Sequence, residues 1–160
     1  MIDIRRAAPL DARDMAALLS DIVATGGSTA MTDPVSQTDM LAWMEGDPRS
    51  IWHIAEDAVG DILGFQFIEP HRDHGATVGQ IGTFAKAGKS GLGIGSKLFE
   101  ATKEAARVAG YRWINAEIRA DNAGGLIFYQ SRGFEDWGRI KGYVMANGQV
   151  VDKVLKRYDL

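Results

Sequence analysis

The residues best suited to chemistry in this chain lie in one short stretch, Gly88-Lys89-Ser90-Gly91-Leu92-Gly93-Ile94-Gly95-Ser96. Glycine lets backbone N–H groups turn into a common concavity and lets a ligand approach the main chain closely. A helix that starts at the end of such a loop adds about half a positive charge at its N-terminus. Together these features suit a phosphate or pyrophosphate. Two well-known phosphate loops do not fit. A P-loop has four residues between its glycines, whereas Gly82 and Gly88 enclose five, and Lys89-Ser90 is followed by more glycine instead of a helix. A dinucleotide motif, Gly-x-Gly-x-x-Gly, would end on Ser96 if begun at Gly91 and on Leu98 if begun at Gly93. The competing reading is a glycine-rich turn that binds nothing.

The loop must be held by the elements on either side of it. Thr77–Ala85 reads as the strand that enters it, and Gly95–Ala109 as the strongest helix, capped by Gly110. In that helix Leu98, Ala101, Thr102, Ala105 and Val108 are spaced to face inward. Upstream, Ile2–Arg6 alternates as a strand, and Pro9 and Asp11 open a helix whose Met15, Leu18, Leu19, Ile22 and Val23 share a face until Gly26-Gly27. A second helix is expected over Gln37–Glu45, then strands over Ile51–Glu56 and Ile62–Ile68. Pro70 to Gly75 reads as a loop. Downstream come a strand over Arg112–Ile118, a helix over Asn122–Ser131, and strands near Phe134–Tyr143 and Val150–Tyr158, joined by an Asn147-Gly148 turn. The order β-α-α-β-β-β-α-β-α-β-β implies an α/β fold with a mixed sheet and helices on both faces.

Composition narrows the class. The chain has 160 residues, 46% hydrophobic, 24% charged and no cysteine. That composition suits one globular domain over residues 1–160 and rules out a disulfide framework, a thiol nucleophile and a thiolate metal site. No apolar run approaches the length of a membrane span, and the start shows no signal peptide, so a cytoplasmic protein is expected. A net charge of −3 argues against nucleic acid as a partner. Residues 1–60 carry four basic and ten acidic side chains, and residues 61–160 carry fourteen and eleven, so an anion is better received in the second part. His71 and His74 lack a third metal-ligating partner, and no metal is expected.

At this level the chain resembles the GNAT superfamily of acyl-CoA-dependent N-acyltransferases. The resemblance rests on Ser90-Gly91-Leu92-Gly93-Ile94-Gly95, on Asn122 with Tyr129 and Gly133-Phe134, and on Ile4-Arg5-Arg6-Ala7 followed by Asp11 and Leu18-Leu19. It implies a GNAT-like fold with a central, mostly antiparallel mixed sheet, and acetyl-CoA as co-substrate. It further implies that the backbone near Thr83, Phe84 and Ala85 holds the pantetheine arm and acyl carbonyl. Ser90, Gly91, Leu92, Gly93, Ile94, Gly95 and Ser96 would wrap the pyrophosphate, and Asn122 and Tyr129 would contact the cofactor. Four positions depart from the family pattern. Ser90 replaces a Gln or Arg, Ala87 a proline, Gly125 an Ala or Ser, and Gln80 a glutamate that would serve as base.

The reaction so implied is attack of an amine on the thioester. A backbone N–H near Ala85 is the candidate oxyanion donor, and Tyr129 the candidate acid for the leaving thiolate. Glu117 is the candidate base, acting through a water, unless it is salt-bridged to a neighbour such as Arg119. Of the neighbours Phe128 and Tyr129, one should be inward and Tyr129 the available one. Asn122 is equally readable as a plain helix cap. Asp33, Asp39, Glu45 and Asp47, with Trp43 and Trp52, fall in the parts expected to receive a cationic amine. Gly142-Tyr143 through Leu155 is similar to relatives that acetylate amino acids or analogues such as phosphinothricin. The expected acceptor is therefore the primary amine of a small amino-acid-like molecule, with polyamines and protein N-termini or lysines as alternatives. Relatives often pair through their C-terminal strands, in keeping with a homodimer. From a different class, a non-catalytic acetyl-CoA-binding sensor would bind the thioester without turnover.

Overall fold

A computed structural model describes residues 1–89 and 92–160. It contains strands β1 (Asp3–Arg6), β2 (Ile51–Glu56), β3 (Ile62–His71), β4 (Gly75–Ala85), β5 (Trp113–Arg119), β6 (Glu135–Val144) and β7 (Val150–Asp159). The helices are α1 (Ala12–Thr25), α2 (Gln37–Glu45), α3 (Ile94–Val108) and α4 (Ala123–Ser131). The sheet order is β1-β2-β3-β4-β5-β7-β6. Every neighbouring pair is antiparallel except β4 and β5, which are parallel with α3 as their crossover.

Helices cover both faces. On one, α1 and α2 bury Met15, Leu19 and Met40 against Trp52, Ile54, Phe65 and Phe67. On the other, Phe99 and Ala106 of α3 and Tyr129 of α4 pack on Ile51, Ile68, Ile81, Ile114 and Ala116. Alternation along β2 sends Trp52 and Ile54 to the first layer and Ile51 and His53 to the second. Among the described residues, no helix is long and apolar enough to cross a membrane.

Local chemistry sets the helix starts. Ser36 Oγ accepts from the Asp39 N–H at 3.0 Å and Asp39 Oδ2 accepts from the Ser36 N–H at 3.2 Å, a reciprocal cap that starts α2. A 3-10 turn, Pro9–Asp11, precedes α1, and Asp11 there also binds Arg5 of β1.

Three expectations change. The Pro70–Gly75 stretch is a hairpin, because β3 extends to His71 and β4 starts at Gly75. In α3 the buried stripe is Ile94, Leu98, Phe99, Thr102 and Ala106, and Val108 is 78% exposed. The helix starts one residue early and its last residue lies beyond the core. Trp52, expected where an amine would be received, is instead core, buried and stacked on Phe67 at 4.8 Å.

Candidate active site

The site begins as a defect in the sheet. β4 and β5 pair only from Val78 opposite Trp113 to Ile81 opposite Ala116, yet β4 runs on to Ala85 and β5 to Arg119. The strands diverge there and leave a slot. The Lys86 N–H donates to the Leu63 carbonyl and the Arg112 N–H donates to the Thr77 carbonyl. Even-numbered residues of β4 thus turn their backbone groups to β3, and odd-numbered ones to β5. Thr83 and Ala85 therefore direct N–H and C=O into the slot. Phe84 does not: its peptide groups pair with β3 and its ring packs at 5.0 Å on Phe65.

On one face of the slot stands the start of α3. Gly93 holds the N-cap position at φ +74°, a left-handed conformation that a side chain would strain. The helix has no side-chain cap and no acid in its first turn, so its first amides are open to an anion. Ile94 is buried and Leu92 is half exposed. Ser96 Oγ accepts a hydrogen bond from Arg132 at the end of α4. Ser90 and Gly91 lie outside the described residues.

Tyr129 faces the slot from the same side. It is 7% exposed, so it is the more buried of the Phe128–Tyr129 pair and not the available one, but its hydroxyl reaches the slot-lining Thr83 Oγ1 at 2.8 Å. Burial pushes its hydroxyl up to about 12, opposed by the Thr83 contact. Asn122 caps α4: its Oδ1 accepts from the Gly125 N–H at 3.0 Å, while its Nδ2 donates to the Ser28 carbonyl at 3.2 Å. A Cβ on Gly125 would come within 2.5 Å of that Nδ2, which accounts for glycine where relatives carry a larger residue.

The other face of the slot carries charge. Glu117 accepts from Lys153 Nζ at 2.8 Å, and Lys153 also lies 3.6 Å from the Tyr143 ring centroid. Arg119 instead binds Asp121 and the Thr29 carbonyl, so the expected Glu117–Arg119 pair does not form. Gln80 accepts from Asn115 Nδ2 at 2.7 Å, and Asn115 accepts from Trp137 Nε1. Directly across from Gln80 on β3 stands Glu69, whose Oε2 accepts from Trp43 Nε1 at 3.1 Å. Burial raises the Glu69 carboxyl, with Asp47 adding to the rise, against the Trp43 bond and Arg72. Glu69 was missed in the sequence because only the strand register sets it beside Gln80.

These walls enclose a cleft of about 1050 Å³ that includes Thr83, Ala85, Gly95, Glu117, Asn122, Tyr129, Tyr143 and Lys153. Residues 28–35, between α1 and α2, form its roof, and Asp33, Asp39 and Trp43 line it. His71 and His74 lie away from it, at 4.5 Å from each other and beside Trp113 and Trp137.

A splayed parallel strand pair is thus flanked by an uncapped, glycine-led helix on one face of the sheet and by carboxylates on the other. The acetyltransferase (GNAT) domain family matches residues 48–136. The chain belongs to that family. It is 27% identical over 160 residues to the Bacillus subtilis (strain 168) protein named "Putative phosphinothricin acetyltransferase YwnH", covering 98% of this chain and 94% of that one. The fold is shared with a ribosomal-protein-alanine N-acetyltransferase from Brucella melitensis at 24% identity and TM-score 0.90, covering 99% of each chain. It is also shared with a phosphinothricin acetyltransferase from Sinorhizobium meliloti, solved in complex with AcCoA, at 20% identity and TM-score 0.88, covering 99% of this chain and 88% of that chain.

Proposed function

We propose that this acetyltransferase moves the acetyl group of acetyl-CoA directly to the primary amine of an amino acid or close analogue. The observation that carries the reading is the slot, open to α3 on one face and to Gln80, Glu117 and Lys153 on the other, with Glu69 next to Gln80 on the neighbouring strand. The α3 amides hold the pyrophosphate, and the Thr83 and Ala85 backbone lines the path of the pantetheine arm. The Ala85 N–H stabilises the negative charge that develops on the acyl oxygen, a donor whose removal typically costs about 10²–10³ in rate. Tyr129 gives its proton to the departing sulfur. Glu69, raised by burial, takes the proton of the incoming ammonium through water beside Gln80.

The Glu117–Lys153 pair presents both signs of charge at the acceptor side, which suits a zwitterion. A polyamine would gain nothing from Lys153. β6 closes the sheet as an exposed ten-residue edge, with Tyr143, Val144 and Val150 uncovered nearby, and this supports pairing into a homodimer. The test is acceptor choice. With acetyl-CoA saturating, mass spectrometry should show acetylated amino acids or phosphinothricin in preference to spermidine or a peptide N-terminus. Preference for spermidine would overturn the acceptor class.

A further inference from the structure

Gln66 is a primary amide with no exposed surface, midway along β3, on the sheet face that α3 and α4 cover. Burying an amide costs free energy unless hydrogen bonds replace its water, so its partners define what it is there for. The strand register sets Thr83 directly opposite it on β4. Gln66 Nε2 donates to Thr83 Oγ1 at 2.9 Å, and Thr83 Oγ1 meets the Tyr129 hydroxyl at 2.8 Å. Thr83 thus sits between an amide donor and the phenol that faces the slot.

We propose that Gln66 and Thr83 are positioning residues that fix the direction in which the Tyr129 hydroxyl proton points. This rests on the reading of Tyr129 as the acid. A threonine hydroxyl has one hydrogen and two lone pairs. The Gln66 N–H occupies one lone pair, which leaves the hydrogen and the second lone pair of Thr83 for Tyr129 Oη; in the relay it is the hydrogen that faces Tyr129. Tyr129 then accepts from Thr83, and its own hydrogen is free to point into the slot. When Tyr129 acts, its O–H bond breaks, an S–H bond forms on the leaving thiolate, and the phenolate keeps the Thr83 hydrogen bond. The second proton lost by the nitrogen as it becomes an amide then passes through water to the phenolate and restores Tyr129. The ring neighbours of Tyr129 are Phe128 and Phe134, both uncharged and with centroids at 5.0 Å. Burial opposes the phenolate, and the Thr83 bond favours it. Without a donor at Thr83, the acid would be both misdirected and weaker.

A double-mutant cycle tests the relay. Thiol release is followed for the wild type, Thr83→Val, Thr83→Ser, Gln66→Met, Tyr129→Phe and Thr83→Val/Tyr129→Phe, with the amino acid that turns over fastest as acceptor. Thr83→Val is expected to lower kcat about tenfold, with KM for acetyl-CoA within about twofold. Thr83→Ser should restore it, and Gln66→Met should lower kcat in the same direction. In the Tyr129→Phe background, Thr83→Val should have almost no further effect. An equal loss in both backgrounds would overturn the relay and make Thr83 a packing residue. A faster Thr83→Val enzyme would overturn it too, since Tyr129 would then have been donating to Thr83. Full activity in Tyr129→Phe, or no turnover with any acceptor, would instead overturn the reading of the acid itself and the relay with it.

Discussion

Gly95 of α3 lies so close to Phe128 of α4 that a Cβ there would come within 2.6 Å of the ring. The last glycine of the loop is therefore set by helix packing. It lets the first turn of α3 pack against Phe128, in the second half of α4, beside the slot. Gly95→Ala forces Phe128 or the helix to move, and overpacking of this kind typically costs about 1–3 kcal/mol. Urea unfolding should show that loss, and calorimetry should show weaker binding of acetyl-CoA. Phe128→Leu in the same chain should recover most of the stability. Unchanged stability in Gly95→Ala would contradict the packing role.

Glu69 and Glu117 lie on the same face of the sheet with different partners, Trp43 for the first and Lys153 for the second. Glu69→Gln is expected to lower kcat by about 10²-fold or more, the usual range for a lost general base. Because burial raises the Glu69 carboxyl above its ordinary value, activity should fall as pH drops through that raised value, and the variant should lack this acid limb. Glu117→Gln should act mainly on KM for the acceptor, since it removes the partner of Lys153. Steady-state pH profiles of both variants decide between them. If Glu117→Gln removed the acid limb and Glu69→Gln did not, the assignment would reverse.

His53 gives the protein a separate dependence on pH. It is 6% exposed on β2, and burial, with Arg6 nearby, lowers its imidazole to about 4. The unfolded chain takes up this proton near 6.5, so the stability it contributes is present above that value and is lost as pH falls from 6.5 to 4. The loss is about 3 kcal/mol. Urea midpoints at pH 7 and pH 4.5 should separate for the wild type and converge in His53→Gln. Equal pH dependence in both would show that His53 is charged or exposed in the fold.

Much of the fold was legible in local chemistry. The helix Gln37–Glu45 and the strand Ile51–Glu56 stand where apolar spacing and the Gly46-Asp47-Pro48 stop put them. What local patterns could not show was long-range pairing. The slot depends on where the β4–β5 ladder ends, and no periodicity in either strand marks Ile81 as its last paired residue. Glu69 and Gln66 acquire their places only through register with Gln80 and Thr83. Val108 was misread because its spacing is helical while its position is past the end of the core. The distance of Tyr129 from Asn122 and Gly133 pointed to it as the available one of the Phe128–Tyr129 pair, yet it is buried in the aromatic layer formed by Phe99, Phe128 and Phe134.

Acceptor-dependent release of free thiol is the measurement that reports transfer of acetyl from acetyl-CoA to an amine. The chain has no cysteine, so a thiol reagent meets no protein background. Across a panel of amino acids, phosphinothricin, polyamines and short peptides, thiol release should require both an acceptor and acetyl-CoA, and be fastest with an amino-acid-like amine. A clear thermal shift with acetyl-CoA and no release from any acceptor would contradict the account and point to a protein that senses the thioester without turning it over.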